Sequence, residues 1–373
     1  MLLFQNTSLL NNTMTQHTST TRADYLIVGG GLAGCVVAWM LLERGHSCIV
    51  ADEPTQSRAS RIGAGIINPI SGKRYSSIWN SVETFPIATR FYEALEAFFH
   101  DDFLRELLTL RLFASEEERA FWQEKRASAQ DFARLVEDND IPSGIRHICG
   151  GLEYQSWHVD TERVVERLRE HFASIGALWE EMFDESALKF SQTNVLYKHI
   201  VAEKIIFCNG WKAHQSLLWR HPSGINFLSP AKGELLTVEL SEGAPTLDRL
   251  LVQGVFLLPM PDGTLKIGAT YEWDDLTDTA SEAAQEELLQ AAQAIFPAQM
   301  QVVRHVAGVR TAARDSKPIL GIHPKHHNAA ILNGFGAKGA VYAPFAAHCI
   351  IACLEDGEAI PKELALARFF GRI

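Results

Sequence analysis

An α/β chain is predicted, in which a Rossmann-like parallel sheet binding a dinucleotide is interleaved with a second domain built on an antiparallel sheet. Three observations carry this. Thr21 to Asp52 reads as strand, glycine turn, helix and strand. Gly233 to Tyr271 alternates apolar and polar residues with a period of two. Near the C-terminus a further strand, "NAAILN", runs into the glycine loop "GFGAKG" and a helix. Nucleotide-type elements thus occur at both ends, and antiparallel elements lie between them. Residues 23–85, 148–218 and 308–373 are assigned to the nucleotide domain. Residues 86–147 and 219–307 go to the second domain, and 1–22 to a disordered polar extension.

In chain order, "YLIV" is a buried strand, "LAGCVVAWMLLERGH" a helix closed by Gly45, and "SCIVAD" the second strand. A helical region is expected from Pro86 to about Phe132, with Phe91, Leu95, Phe98 and Phe99 on one face. "DTERVVERLREHFASIG" is an amphipathic helix capped by Asp160 or Thr161 and stopped by Gly176. "EKIIFCNG" is a buried strand. "ELLTVEL", "GVFLLPM" and "TLKIGATY" are antiparallel strands, the last two joined by "PDG". Helix returns at Ser281–Phe296 and again up to Glu355.

The composition, 47% hydrophobic and 21% charged over 373 residues, is that of a globular protein. A formal charge of −11 does not indicate tRNA or other nucleic-acid binding, which needs a basic face. The six cysteines form no CxxC pair, and reduced thiols in the cytoplasm are the expectation. Residues 1–22 lack the parts of a signal peptide, and the start at Met1 or Met14 stays open. The tract "AVYAPFAAHCIIACL" is too short to span a bilayer. Fourteen histidines show no helical HxxxH pair, so no metal site is expected.

Within "DYLIVGGGLAG", Gly29 permits the tight turn, Gly31 lets a pyrophosphate approach the main chain, and Gly34 lets the helix lie close on the strand. Leu32 and Ala33 open the helix, whose free N–H groups and positive dipole end face the phosphates. Asp52 ends the second strand about 20 residues beyond Gly29, where an acid accepts from a ribose. Glu53 is its neighbour and competitor. This unit alone does not choose between FAD and NAD.

Several further stretches, taken in order, carry a resemblance. They are "SRASRIGAGIINP" (57–69), "IIFCNGW" (205–211), "LKIGATYE" (265–272), "GVRTAARDSKPILG" (308–321) and "NGFGAKGAVYAP" (333–344). From Ala23 onward the chain resembles the FAD-dependent D-amino-acid oxidase superfamily, which includes glycine oxidase and sarcosine oxidase. Within it, "GVRTAARD" is similar to a run in the oxidase half of the bifunctional enzyme that matures wobble uridine in bacterial tRNA. That half trims carboxymethylaminomethyl to aminomethyl, and its methyltransferase half has no counterpart here.

The resemblance implies non-covalent FAD. Ser60, Arg61, Ala64, Gly65 and Ile66 would run beneath the flavin, and Asn209, Gly210 and Trp211 would form a second flavin-contacting turn. Gly334, Gly336, Ala337, Lys338, Gly339 and Ala340 would stabilise the reduced ring through N–H groups, a helix end and the lysine charge. Arg310 falls where glycine oxidase binds its substrate carboxylate, with Arg314 as rival; a guanidinium holds a carboxylate by a bidentate fork. Lys266 resembles a lysine near the flavin in sarcosine oxidase, on the oxygen side; a solvent-facing strand lysine is the other reading. Tyr271 is a candidate lid or substrate contact. Arg58, Arg61, Lys73 and Arg74, around "GAGIINPISG", would either draw in an anionic substrate or be ordinary surface charge. The implied reaction is oxidation of the C–N bond of a carboxylate-bearing amine to an imine by hydride transfer to flavin N5, with O2 as acceptor. Two alternatives stand beside it: trimming of carboxymethylaminomethyl-uridine in tRNA, and a dehydrogenase passing electrons to a quinone or partner protein.

Overall fold

The structure, a computed structural model, describes residues 20–54, 59–71, 76–126, 133–221, 223–224 and 226–370. Most of the extension at 1–22, together with Arg58, Lys73 and Arg74, lies outside them. The extension is shorter than its assignment, because Thr21 and Arg22 already pair with Ile200 and Val201.

Two sheets organise the molecule. In the first, Thr21–Val28 lies between Cys48–Asp52 and Ile200–Phe207, parallel to both, and Ala329–Asn333 continues parallel beyond Ile200–Phe207. Leu178–Glu180 adds a parallel edge. Helices cover this sheet, so its strands are continuous apolar runs rather than alternating ones. Leu26 to Val28 are all but fully buried. The helices Leu32–Glu43, Thr161–Ser174 and Gly339–Ile351 contribute to one large core, where Cys35, Val37, Leu168 and Tyr342 meet. Asp160 caps the second of these by accepting from Arg163 N at 3.1 Å.

The second sheet is mixed rather than purely antiparallel. Its order runs from Met300–Ala313 through Leu228–Leu240, Leu265–Gly268, Val255–Pro259, Leu250–Gln253 and Leu104–Leu112 to Gly151–Val159 and Ile66–Ile67. Leu250–Gln253 pairs parallel with Leu104–Leu112. Helix Glu282–Ile295 packs on the outer face through Leu288, Ala292 and Ile295.

Three expectations need correction. The helical region from Pro86 to Phe132 is two helices, Ser81–Phe99 and Glu116–Arg126, separated by strand Leu104–Leu112. "LRELLTLRL" is rich in helix formers, but nine backbone pairings with Gly151–Val159 override that propensity. On Ser81–Phe99 the buried face is Ala88, Phe91, Tyr92 and Leu95; Phe98 is 51% exposed. Tyr92 rather than Phe98 enters the core, and its Oη donates to Ala340 O at 2.8 Å. Gly151–Val159, assigned to the nucleotide domain, is a strand of the second sheet, while helix Ser81–Phe99, assigned to the second domain from Pro86 onward, packs in the nucleotide core.

His158 on strand Gly151–Val159 is 4% exposed, and among the described residues its Nε2 has no hydrogen-bond partner. Burial first, then the charges of Lys266 and Arg105, pulls its pKa down to about 3. Between that value and about 6.5 the unfolded chain binds a proton that the folded chain refuses. Stability is therefore expected to fall as pH drops through this window, by about 1.4 kcal/mol per pH unit from this group. Urea unfolding from pH 6.5 to 4 checks it: the slope should be shallower by about that amount in His158→Gln, and an unchanged slope would remove His158 as the cause.

Candidate active site

A cavity of about 2060 Å3 runs between the two sheets. Its floor at one end is the glycine turn. Gly29 has φ +100° and packs on Cys208 and Asn209, so only glycine fits without strain. A Cβ on Gly34 would overlap the carbonyl oxygen of Gly29, which is how closely helix Leu32–Glu43 lies on the turn. Gly31 has an ordinary extended φ of −79°, and a Cβ there would meet only Ser60 Oγ, at 3.2 Å. The open side of Gly31 thus faces the cavity, together with Leu32 and Ala33. Ser60 Oγ accepts from Leu32 N at 3.1 Å.

Asp52 and Glu53 both line this end. Sequence reasoning missed what holds them. Arg169 Nη1 donates to Asp52 Oδ2 at 2.6 Å, and its Nη2 to Glu180 Oε1 at 2.7 Å. Lys212 pairs with Glu53. The side chains of Arg169 and Asp52 are each only 11% exposed, and Arg169 fills the space beside Gly30. The amphipathic pattern of Thr161–Ser174 placed Arg169 on a helix but gave no sign of this contact. Breaking a buried pair strands the remaining charge, at a cost of about 3 kcal/mol. Arg169→Ala is therefore expected to lower thermal stability and to loosen FAD about tenfold, measured by flavin retention on dialysis; unchanged retention would confine Arg169 to packing.

Further along, Ala64, Gly65 and Ile66 line the cavity on one side, and Asn209, Gly210 and Trp211 on the other. Asn333, also missed, donates from Nδ2 to Gly210 O at 2.9 Å and accepts from Gly334 N at 2.7 Å, so it locks the two loops together. Gly336, Ala337, Gly339 and Ala340 form the wall at the start of helix Gly339–Ile351, which has no side-chain cap. Its first N–H groups and positive dipole end point at the cavity, as do those of Leu32–Glu43, where Ser60 Oγ already takes Leu32 N.

Five expected residues are not on the wall. Gly34 packs beneath the turn. Arg61 pairs with Glu166. Gly334, at φ +78°, sits against Ile319 and Ala313. Lys338 precedes helix Gly339–Ile351 and is half-buried, and burial lowers its pKa. Lys266 lies on strand Leu265–Gly268 with its charge acting on His158. Residues 266 and 268 share a face of the strand, and Gly268, not Lys266, reaches the cavity.

Arg310 is on the wall, whereas Arg314 is exposed and off it. Among the described residues no carboxylate lies within 4.0 Å of the Arg310 guanidinium. Its Nη2 donates to Thr270 O at 2.5 Å, and its Nε is buried without a partner. The Tyr271 ring covers it, 3.6 Å from centroid to guanidinium carbon. A Cβ on Gly233 would fall 2.5 Å from Nη1, so the glycine makes room for the fork. Burial lowers the Arg310 pKa below the usual guanidinium range; a guanidinium stays charged at neutral pH. A half-buried cation with open donors asks for an anion.

The cavity also fits FAD. Asn209 Oδ1 and Thr311 Oγ1 are buried without partners among the described residues and belong to residues that line it, and two helix starts whose N-cap residues make no side-chain cap bond face it. Among the described residues no helix is long and apolar enough to cross a membrane.

Comparison with known proteins bears on the same features. The family described as DAO, FAD dependent oxidoreductase, matches residues 24–353. Glycine oxidase of Pseudomonas aeruginosa is 25% identical over 339 residues, which cover 86% of this chain and 91% of that protein. The tRNA 5-methylaminomethyl-2-thiouridine biosynthesis bifunctional protein MnmC of Burkholderia multivorans is 24% identical over 393 residues, covering 92% of this chain and 57% of the relative. The chain spans about a third to just over half the length of the first curated relatives it matches. The crystal structure of glycine oxidase from Geobacillus kaustophilus superposes with a TM-score of 0.79 at 22% identity, covering 94% of this chain and 99% of that one.

Proposed function

The chain belongs to the DAO family of FAD-dependent oxidoreductases, and from that premise we propose that it oxidises the C–N bond of a carboxylate-bearing amine, an amino acid or N-substituted glycine. Arg310 is the observation that carries the reading. It is a charged fork on the cavity wall, roofed by Tyr271 and with no carboxylate partner among the described residues, and it matches the anion that such a substrate supplies.

FAD, when bound, supplies the two-electron acceptor for a hydride from the carbon beside nitrogen. The diphosphate belongs at Gly31, Leu32 and Ala33 and the ribose at Asp52, which Arg169 holds in place. Ala64 to Ile66, Asn209 to Trp211 and the start of helix Gly339–Ile351 would enclose the ring. The N–H groups of that helix face the negative charge that reduction adds. Arg310 binds the carboxylate and so fixes which carbon is presented. Tyr271 shields the guanidinium from water, which strengthens the ion pair. The substrate loses a hydride and a proton to become an imine; water then hydrolyses it to a carbonyl compound and an amine. We assign O2 as the electron acceptor.

Anaerobic mixing of the holoenzyme with glycine, sarcosine and N-ethylglycine tests this. Bleaching of the visible flavin band by at least one of them, followed by rapid recovery in air, is expected. Bleaching with slow recovery would replace the oxidase by a dehydrogenase. No bleaching by any carboxylated amine would overturn the reading.

A further inference from the structure

The strand beside Arg310 carries two buried charges on the face turned away from the cavity. We propose that one of them, Lys232, is a positioning residue for the carboxylate anchor: it fixes loop 270–281 from the far side of the sheet and so holds the Tyr271 ring on the Arg310 guanidinium. This rests on Arg310 as that anchor.

Alternation along strand Leu228–Leu240 sets the two faces. Gly233 faces Arg310, since a Cβ there would fall 2.5 Å from Nη1, so Lys232 and Glu234 point the other way. They are 2% and 4% exposed. An ammonium enclosed to that degree is costly unless counter-charges meet it. Its Nζ donates to Asp275 Oδ2 at 2.6 Å and lies 3.4 Å from Glu234 Oε1. Asp275 belongs to the loop. Full pairing of the buried lysine therefore requires the loop to be in place.

The rest of the network grips the same loop. Lys232 N donates to Glu272 O at 2.7 Å, and Lys232 O accepts from Glu272 N at 3.0 Å. With residues 232 and 272 opposite each other, Tyr271 falls on the side of Gly233, over Arg310. Glu234 N donates to Thr270 Oγ1 at 2.9 Å, and the Glu234 carboxylate accepts from Ser281 N at 2.8 Å and Ser281 Oγ at 3.0 Å. Thr270 is the residue whose carbonyl takes Arg310 Nη2. Both loop groups on the guanidinium, the Thr270 carbonyl and the Tyr271 ring, are thus set by neighbours on one strand. Tyr271 is 54% exposed, so burial alone does little to hold its ring. The same loop carries the cavity wall onward through Leu276, Thr277 and Asp278. A fork whose roof and hydrogen-bond partner are fixed beforehand loses less freedom when a carboxylate binds.

The test titrates ethoxyacetate into FAD-loaded enzyme by calorimetry; an ether oxygen replaces the amine nitrogen, so no C–N bond can be oxidised. Asp275→Asn is expected to weaken binding about fivefold, and Lys232→Met by a similar factor, while FAD affinity holds. The signs are diagnostic. Asp275→Asn removes a negative charge, so a field effect alone would tighten an anion, whereas Lys232→Met would loosen it. A held loop predicts loosening in both. In a Tyr271→Ala background, Asp275→Asn should add nothing. Unchanged or tighter binding in Asp275→Asn, a loss that persists in the Tyr271→Ala background, or a parallel loss of FAD overturns the positioning role. Should Lys232→Met fail to fold, Asp275→Asn decides alone, because Lys232 keeps Glu234 there. Ethoxyacetate binding that disappears in Arg310→Ala upholds the anchor whatever the loop result; wild-type affinity in Arg310→Ala, or no binding to wild type, overturns both.

Discussion

Replacing Arg310 with alanine is expected to cut kcat/KM for a carboxylated amine about 100- to 1000-fold while FAD stays bound. A bidentate charge-assisted pair in a shielded chamber is worth about 3–4 kcal/mol. The loss should appear mainly in KM, because the carboxylate is held equally before and during hydride loss. Arg310→Lys should recover only about tenfold, since an ammonium lacks the planar fork and the flat face that Tyr271 covers. Thermal stability should hold or rise slightly, because no protein carboxylate is left stranded and a half-buried charge is removed. Steady-state kinetics with sarcosine or glycine, alongside the flavin-to-protein absorbance ratio, read both effects. An unchanged KM would dispose of the anchor, and a large drop in melting temperature would make Arg310 structural.

Two neighbouring glycines should fail in different ways. Gly31→Ala adds a methyl that only Ser60 Oγ approaches, at 3.2 Å, on backbone that any residue adopts. The fold should survive, while the methyl stands where a diphosphate must come within hydrogen-bond distance of the main chain. FAD affinity is expected to drop by about 100-fold, or about 2.7 kcal/mol. Gly34→Ala drives its methyl into the Gly29 carbonyl and forces strand and helix apart, at a cost of about 3 kcal/mol. That variant should lose stability and flavin together. Urea unfolding of the apoproteins separates the two: a Gly31→Ala apoprotein as unstable as Gly34→Ala would deny that Gly31 serves the ligand.

What was legible in the sequence depended on local pattern. The strand–turn–helix at Tyr25–Gly34 was readable because a buried parallel strand is a continuous apolar run and because its glycines have fixed jobs within a few residues. Asp160, Gly45 and the hairpin strands were readable for the same reason: caps and period-two alternation act over short spans. The family likeness extended this to loops such as Asn209–Trp211 and Gly336–Ala340, which line one cavity although they are more than a hundred residues apart.

The rest was decided in three dimensions. "LRELLTLRL" became a strand through partners some 40 residues away, a contest that propensity cannot see. Arg310 was the anchor candidate in sequence with Arg314 as its rival, and the course of the chain put the first against Tyr271 and left the second exposed. Lys266 had the right neighbours in sequence but stands off the cavity, where its field lowers the pKa of His158. Arg169, Asn333, Gly233 and Lys232 carry no local signal at all. Sequence alone determined the glycine turn and the helix laid close upon it, because main-chain geometry near one turn is a short-range property. The tertiary structure decided which charges face the cavity, because a guanidinium's partner, burial and exposure are set by chain brought in from far along the sequence.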